Sequence, residues 1–289
     1  MNPRIFILGS SGYIGSILVR ELKKYFEYVI GIDRSVISDL TNYKILDEYF
    51  RQTSSNFKDN YVINCAASGG KQKLGEYNKD ELWNNLKINN NIIRLSPFYR
   101  QYINIGSGAE LDISKPIIDA VENEFFEVLP KDSYGLSKNL IARDIILGNH
   151  GLNLRLFGCF DPIEPDYRFV NTCVRNCISS IPIIIKEDKY FSWISGIDLG
   201  DVIQQLIKHF NNDKALDSFD LNCAYTKKIR LSELAYHVAR ICGNNIDIKI
   251  VNKNGGEYSC NSYLLESDFN LGVGLEHSLI HYINEKIKI

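Results

Sequence analysis

Near the start of the chain stands the segment Arg4-Ile5-Phe6-Ile7-Leu8-Gly9-Ser10-Ser11-Gly12-Tyr13-Ile14-Gly15. The apolar run from Ile5 to Leu8 has the length and composition of a parallel strand buried on both faces. It ends in glycine, and beyond Gly15 the pattern turns helical, with Ile14, Ile17, Leu18 and Leu22 on one face. Strand, glycine turn and helix in this order open a dinucleotide-binding unit. Three glycines permit a tight turn, close approach of backbone to a pyrophosphate and close packing of helix on strand. The helix start, through Ser11, Gly12, Tyr13, Ile14 and Gly15, offers N–H groups and partial positive charge to phosphates. A glycine cluster alone is a weak signal. The next strand, Tyr28 to Ile32, strengthens it by ending at Asp33, roughly 20 residues on, where a ribose-binding acid belongs.

Outward from this segment, the 289-residue chain is long enough for one large domain with a lobe. Its formal net charge is −2 and its charges are dispersed, so neither nucleic acid nor a membrane surface is an expected partner. No apolar run approaches the roughly 18 residues of a membrane span. The N-terminus enters a core strand directly, so we expect no signal peptide and a cytoplasmic location. Seven cysteines include no CxxC pair. Cys173 and Cys177 share a helix face without further ligands, which predicts buried reduced thiols and no metal site. His209, His237 and His277 lack metal-ligand spacing and are expected to be structural. The abundance of Ile, Asn and Lys is taken as compositional bias.

Downstream, Val36-Ile37-Ser38 leads into Asp39-Leu40, and a helix is expected over Tyr43–Arg51. The strand Tyr61–Ile63 runs into Cys65-Ala66-Ala67, small residues suited to a cofactor crevice. Residues 68–79 are predicted to be a loop over the site. A helix over 79–95 is stopped by Pro97, and the strand Tyr102–Ile105 leads to Ser107. Residues 111–130 show no period. A helix over 133–148 and a strand over 153–157 follow. Looser elements come next: a helix over 168–179, strands near 182–185 and 191–193, and helices near 199–210 and 231–242. Alternating strands and helices predict a parallel sheet covered on both faces.

Tyr134 and Lys138 lie four apart, hence on one helix face with about 5–6 Å between Cβ atoms. An ammonium beside a phenol favours the phenolate, and a phenol so tuned exchanges a proton with a carbonyl or alcohol oxygen. Ser107, at the end of the preceding strand, is placed to hydrogen-bond the same oxygen. The bland alternative is a surface aromatic beside a solvated lysine. The upstream glycine loop and strand-end serine weigh against it.

Together, Gly9-x-x-Gly12-x-x-Gly15, Ser107 and Tyr134-x-x-x-Lys138 resemble the extended short-chain dehydrogenase/reductases, in particular the nucleotide-sugar epimerase, dehydratase and reductase group. The resemblance covers nearly the whole chain. It implies a Rossmann-type doubly wound parallel sheet over residues 1–160, with later strands from 195–225 interleaved, and a smaller mixed substrate-binding lobe over 161–289. It also implies NAD or NADP as cofactor, a nucleotide-sugar substrate, and a homodimer through the helices at 79–95 and 133–148. Asp39-Leu40 matches the family's adenine-contacting turn, Ala66-Ala67 the strand end beside the cofactor, and Asn85 and Asn91 the asparagines of the central helix. Arg155-Leu156-Phe157-Gly158-Cys159-Phe160-Asp161-Pro162 is similar to the segment after the catalytic helix, placing Phe157 by the cofactor. Trp193 to Leu199 resembles the segment that closes the substrate lobe.

Departures from the family pattern narrow the expected reaction. Sugar 4,6-dehydratases carry an Asp-Glu pair after the catalytic Ser or Thr, where this chain has Gly108-Ala109. Reductases similar to GDP-fucose synthase carry a cysteine at the Ala109 position. What survives is redox chemistry at one carbon: a 4-ketoreductase for surface polysaccharide, or a 4-epimerase. A non-catalytic nucleotide-binding sensor is the alternative of another class. Substrate contacts are expected from Gly108, Glu110, Gly158, Arg168 and Arg175, the two arginines as a pyrophosphate clamp. Asp33 favours NAD, whereas Arg34 beside it suits the 2′-phosphate of NADP.

Overall fold

The computed structural model describes residues 3–54, 59–68, 78–214, 216 and 218–287. Six parallel strands form the main sheet: β1 (Arg4–Leu8), β2 (Tyr28–Ile32), β3 (Asn60–Asn64), β4 (Gln101–Ser107), β6 (Leu152–Leu156) and β11 (Asp220–Cys223). Their spatial order is β11-β6-β4-β3-β1-β2. From β1 the chain passes first to β2 on one side and then back to β3 on the other. The strand order therefore reverses between β1 and β3, and a crevice opens at their C-terminal ends.

Alternation along the strands builds the two faces. Ile5 and Ile7 point into one core with α1 (Tyr13–Leu22) and α6 (Gly196–Asn211). Phe6 and Leu8 point into the other, with α2 (Tyr43–Thr53), α3 (Lys79–Arg94) and α4 (Ser133–Leu147). These apolar runs are thus doubly wound, as the sequence predicts. α3 starts where Asn78 accepts from the Asp80 and Glu81 N–H groups, and ends at Leu95 ahead of Pro97. In the same way Asp132 caps α4 through the Gly135 N–H.

Three of the chain's asparagines serve the architecture of the sheet. Asn64, Asn104, Asn153 and Asp220 lie opposite one another on four adjacent strands. Asn64 Nδ2 donates to Asn104 Oδ1 at 3.1 Å, Asn104 Nδ2 to Asn153 Oδ1 at 2.8 Å, and Asn153 Nδ2 to Asp220 Oδ1 at 2.9 Å. All four are buried, so this rung satisfies its polar groups internally.

The remaining strands form smaller sheets. β5 (Ile117–Ala120) lies in the stretch without period and joins a four-stranded sheet with β9 (Tyr190–Phe191), β12 (Ile229–Arg230) and β14 (Glu257–Cys260). Its pairing partners lie far along the chain, so no local pattern marks it. β7 (Gly158–Phe160) pairs with β10 (Trp193–Ser195), and β8 (Ile183–Glu187) with β13 (Ile248–Asn252). The helices α5 (Phe169–Ile178), α7 (Leu231–Ile241), α8 (Tyr263–Asp268) and α9 (Gly274–Ile287) complete this side. Asp198 on α6 is wholly buried and accepts from the Val273 and Gly274 N–H groups, tying α6 to the start of α9. No helix among the described residues is long and apolar enough to cross a membrane.

Candidate active site

The crevice at the strand reversal is a cleft of about 680 Å³. Its walls bring together Gly9, Ser11, Gly12, Asp33, Arg34, Asp39, Leu40, Cys65, Ala66 and Ala67. Ser35, Ile37, Ser38, Thr41, Ser68, Asn84 and Ile88 also line it, and the sequence did not single these out. Gly9 has φ +77°, and a Cβ there would stand 2.7 Å from Ala66 Cα. A Cβ on Gly15 would stand 2.1 Å from the Gly9 carbonyl oxygen. These glycines let α1 start directly against the end of β1. Gly12 is the N-cap and carries no side-chain acceptor, so the N–H groups of Tyr13 and Ile14 are left for an anion at the helix start. That cradle fits a dinucleotide pyrophosphate.

At the end of β2, Asp33 accepts from the Ser35 N–H at 2.8 Å and from its hydroxyl at 2.6 Å. Ser35 and Ser11 hold its carboxyl below the usual carboxylate range, so it is ionised. Arg34 beside it is exposed. Asp39 closes its turn on the Thr41 N–H and hydroxyl, and Asn91 Nδ2 donates to the Leu40 carbonyl at 3.0 Å.

Ser107, Tyr134 and Lys138, the residues expected to react, do not line this cleft. Lys138 is 4% exposed; its Nζ donates to the Ile105 carbonyl on β4 at 2.7 Å and lies 6.0 Å from the Tyr134 ring centroid. Burial pushes the Cys65 thiol up to about 12 against the pull of this ammonium, so Cys65 is a neutral wall. Ser107 ends β4, its Oγ accepting from the Ala109 N–H at 3.2 Å. Gly135, one residue past Tyr134, admits close packing, since a Cβ there would stand 2.6 Å from the Ala109 carbonyl oxygen. The strand end with Ser107 and the helix with Tyr134 are thereby pressed together.

Several expected contacts are placed otherwise. Asn85 turns its amide to the Ser68 backbone (2.7 and 3.1 Å) and to Ser137 Oγ (3.0 Å); it braces the cleft wall against α4 from behind. Glu110 is wholly buried, and this corrects its assignment to the substrate. Its Oε1 accepts from the Ser107 N–H at 2.8 Å, and its Oε2 from Arg155 Nε at 2.7 Å. Arg155 also forks onto Asp220 at 2.8 and 3.0 Å, so the strand end carrying Ser107 rests on a buried ion network. The arginines form no common clamp. Arg168 lies 4.8 Å from the Tyr13 ring centroid and donates to the Cys159 carbonyl and Glu164. Arg175 is exposed beside Asp166. Gly158 is buried, and a Cβ there would stand 2.6 Å from the Trp193 indole, which fills its place. Phe157 packs on Tyr258 with ring centroids 4.9 Å apart. Residues 69–77 of the expected loop lie outside the described residues.

All seven cysteines are free, and no group of three or more metal-ligating side chains occurs among the described residues. A strand reversal with a glycine cradle, joined to a Ser, Tyr and Lys cluster, defines a nicotinamide-dinucleotide enzyme. The chain belongs to the NAD dependent epimerase/dehydratase family, whose model matches residues 5–221, and its cofactor is accordingly NAD or NADP. No curated protein matches the sequence. Solved structures share the fold at low identity. MlghC, GDP-mannoheptose C4 reductase from Campylobacter jejuni with NADP bound, is 18% identical over 100% of this chain and 99% of that chain, with TM-score 0.75. A dTDP-4-dehydrorhamnose reductase from Clostridium acetobutylicum is 18% identical over 99% and 100%, TM-score 0.74. A dTDP-glucose 4,6-dehydratase from Bacillus anthracis is 15% identical over 99% and 97%, TM-score 0.76. Reductases and a dehydratase thus share this fold, and the fold does not choose the reaction.

Proposed function

We propose that the protein is an NAD(P)H-dependent 4-ketoreductase acting on a nucleotide-linked 4-keto-6-deoxy sugar, in the assembly of a surface polysaccharide. The observation carrying this reading is the site beside Ser107. Tyr134 and Lys138 stand together on α4, while Gly108 and Ala109, both buried, carry no proton-transfer group of their own. Elimination of water needs an additional acid and base, which these two positions do not supply. The reduced cofactor, when bound, supplies a hydride. Tyr134 donates the proton that neutralises the developing alkoxide. The Lys138 ammonium stabilises the charge left on that phenol and keeps two N–H donors besides the one spent on Ile105. Ser107 orients the carbonyl. The descriptions of MlghC and of the Clostridium protein as 4-position reductases support the same choice.

The test is a panel of CDP-, GDP-, UDP- and dTDP-linked 4-keto-6-deoxy sugars with NADH and NADPH, the products assigned by NMR. We expect stoichiometric cofactor consumption. Conversion of a sugar nucleotide with a catalytic, retained NAD⁺ would establish the 4-epimerase instead, and cofactor binding without conversion the sensor. Trp83 on α3 (50% exposed) and Leu147 on α4 (75% exposed) offer apolar surface for a homodimer through those helices. Sedimentation showing a monomer at all concentrations would remove that part.

A further inference from the structure

Next to Ser107 stands a phenol that the proposed chemistry leaves unused. Tyr258 lies on β14, paired with Phe191 on β9 and with Ile117 on β5. Its ring packs at tilted angles against Phe157 and Phe191, each centroid 4.9 Å away. These contacts hold the ring and with it the direction of the hydroxyl. A Cβ built on Gly108 would stand 2.3 Å from Tyr258 Oη, 2.7 Å from its Cζ and 2.8 Å from Phe157 Cδ1. The hydroxyl therefore occupies the side-chain place of the residue after Ser107, although it comes from the last strand of the chain.

Ser107 spends its backbone and side chain on the turn that follows. Its N–H donates to Glu110 Oε1 at 2.8 Å, and its Oγ accepts from the Ala109 N–H at 3.2 Å. Tyr258 is half-buried, and no hydrogen bond to a described residue engages its hydroxyl. A phenol can both donate and accept. One that is fixed in direction, lacks a protein partner and adjoins the serine that orients the carbonyl is a binding group for a ligand oxygen.

We propose that Tyr258 is a specificity-determining residue whose hydroxyl hydrogen-bonds the 3-hydroxyl of the sugar. The chemistry of the substrate class selects that oxygen. In a 4-keto-6-deoxy sugar the carbonyl carbon is flanked by C5, which carries a methyl group, and by C3, which carries the only hydroxyl next to the carbonyl. Ser107 takes the carbonyl oxygen. The side-chain place of residue 108, one position along, holds the group that meets the oxygen one carbon along.

This role rests on the ketoreductase reading, and the test keeps the two apart. The panel sugar turned over fastest by the wild type is compared with its 3-deoxy analogue in the wild type, Tyr258→Phe and Gly108→Ala. Tyr258→Phe keeps the ring contacts and removes only the hydroxyl. We expect wild-type kcat/KM to favour the 3-hydroxy sugar about tenfold, the worth of one hydrogen bond. Tyr258→Phe should lose about tenfold on that sugar and nothing on the analogue, so that the preference collapses. NAD(P)H affinity and Tm should stay near wild type. Gly108→Ala, whose methyl displaces an intact phenol, should lose the preference as well. Equal losses on both sugars, with or without a lowered Tm, overturn the role by showing that the phenol serves the fold. A Tyr258→Phe enzyme that keeps the full preference overturns it too. A wild type that turns over both sugars equally overturns the role and leaves the ketoreductase reading standing. No turnover of any panel sugar by the wild type overturns that reading, and this role with it.

Discussion

The Lys138 ammonium donates to the Ile105 carbonyl, two residues before Ser107 on the same strand. One hydrogen bond thus fixes α4 against β4 and holds a buried cation beside the Tyr134 ring. Lys138→Met removes both functions, whereas Tyr134→Phe removes only the proton donor. We expect Tyr134→Phe to lower kcat by about 10²–10⁴ with cofactor affinity nearly intact. Lys138→Met should lower kcat at least as far and also weaken the cofactor, which titration of NADH fluorescence would show.

Gly15→Ala places a methyl against the Gly9 carbonyl, where only 2.1 Å is available to the backbone. The start of α1 must then lift away from the end of β1. The expected result is a lower Tm and loss of the thermal shift given by NADH or NADPH. Retention of that shift would place the pyrophosphate elsewhere.

Asp33 is an ionised carboxylate at the adenosine end, and Arg34 next to it is exposed on the same wall. The carboxylate suits a ribose hydroxyl and repels a 2′-phosphate. Arg34→Ala should lower kcat/KM for NADPH about tenfold and leave NADH nearly unchanged, while Asp33→Asn should shift preference toward NADPH. Steady-state kinetics with both cofactors decides the matter.

Burial pushes the Glu164 carboxyl up to about 7, with Arg168 and the Asn171 N–H pulling the other way. In the unfolded chain the group titrates near its ordinary value, so the folded state binds the extra proton between the two. The stability this proton contributes is complete below about pH 4.5 and is lost as pH rises through about 7. The loss is of the order of 3 kcal/mol. Glu164→Gln cannot titrate, and should flatten the fall in Tm between pH 5 and 8. An unchanged slope in that variant would assign the pH dependence to other groups.

What the sequence made legible was local. Ile5 to Gly15, Asp33, and the pair Tyr134 and Lys138 are each recognisable from neighbours within a strand, a turn or one helical turn. The groups that work across distance were not. Glu110 reads as a polar loop residue until Arg155, 45 positions later, is seen to fold onto it. Tyr258 packs at tilted angles against Phe157 and Phe191, which come from two other strands or strand ends. A signal was nevertheless present in Asn64, Asn104 and Asn153. Asparagine disfavours strands, and its recurrence inside three apolar strands pointed to hydrogen bonding between them.

Arg155 on β6 meets its second carboxylate only when Asp220 on β11 arrives, and the same strand supplies the last member of the asparagine rung. Nascent chain ending near residue 160 would therefore carry an uncovered strand edge and a guanidinium with half its counter-charge. Such an intermediate is prone to pairing with other chains. Completion of the nucleotide-binding sheet waits for residues that lie about midway through the second half of the chain. We expect the halves to fold as one cooperative unit, so that cutting the gene at the apparent boundary yields aggregate in place of a free nucleotide-binding domain.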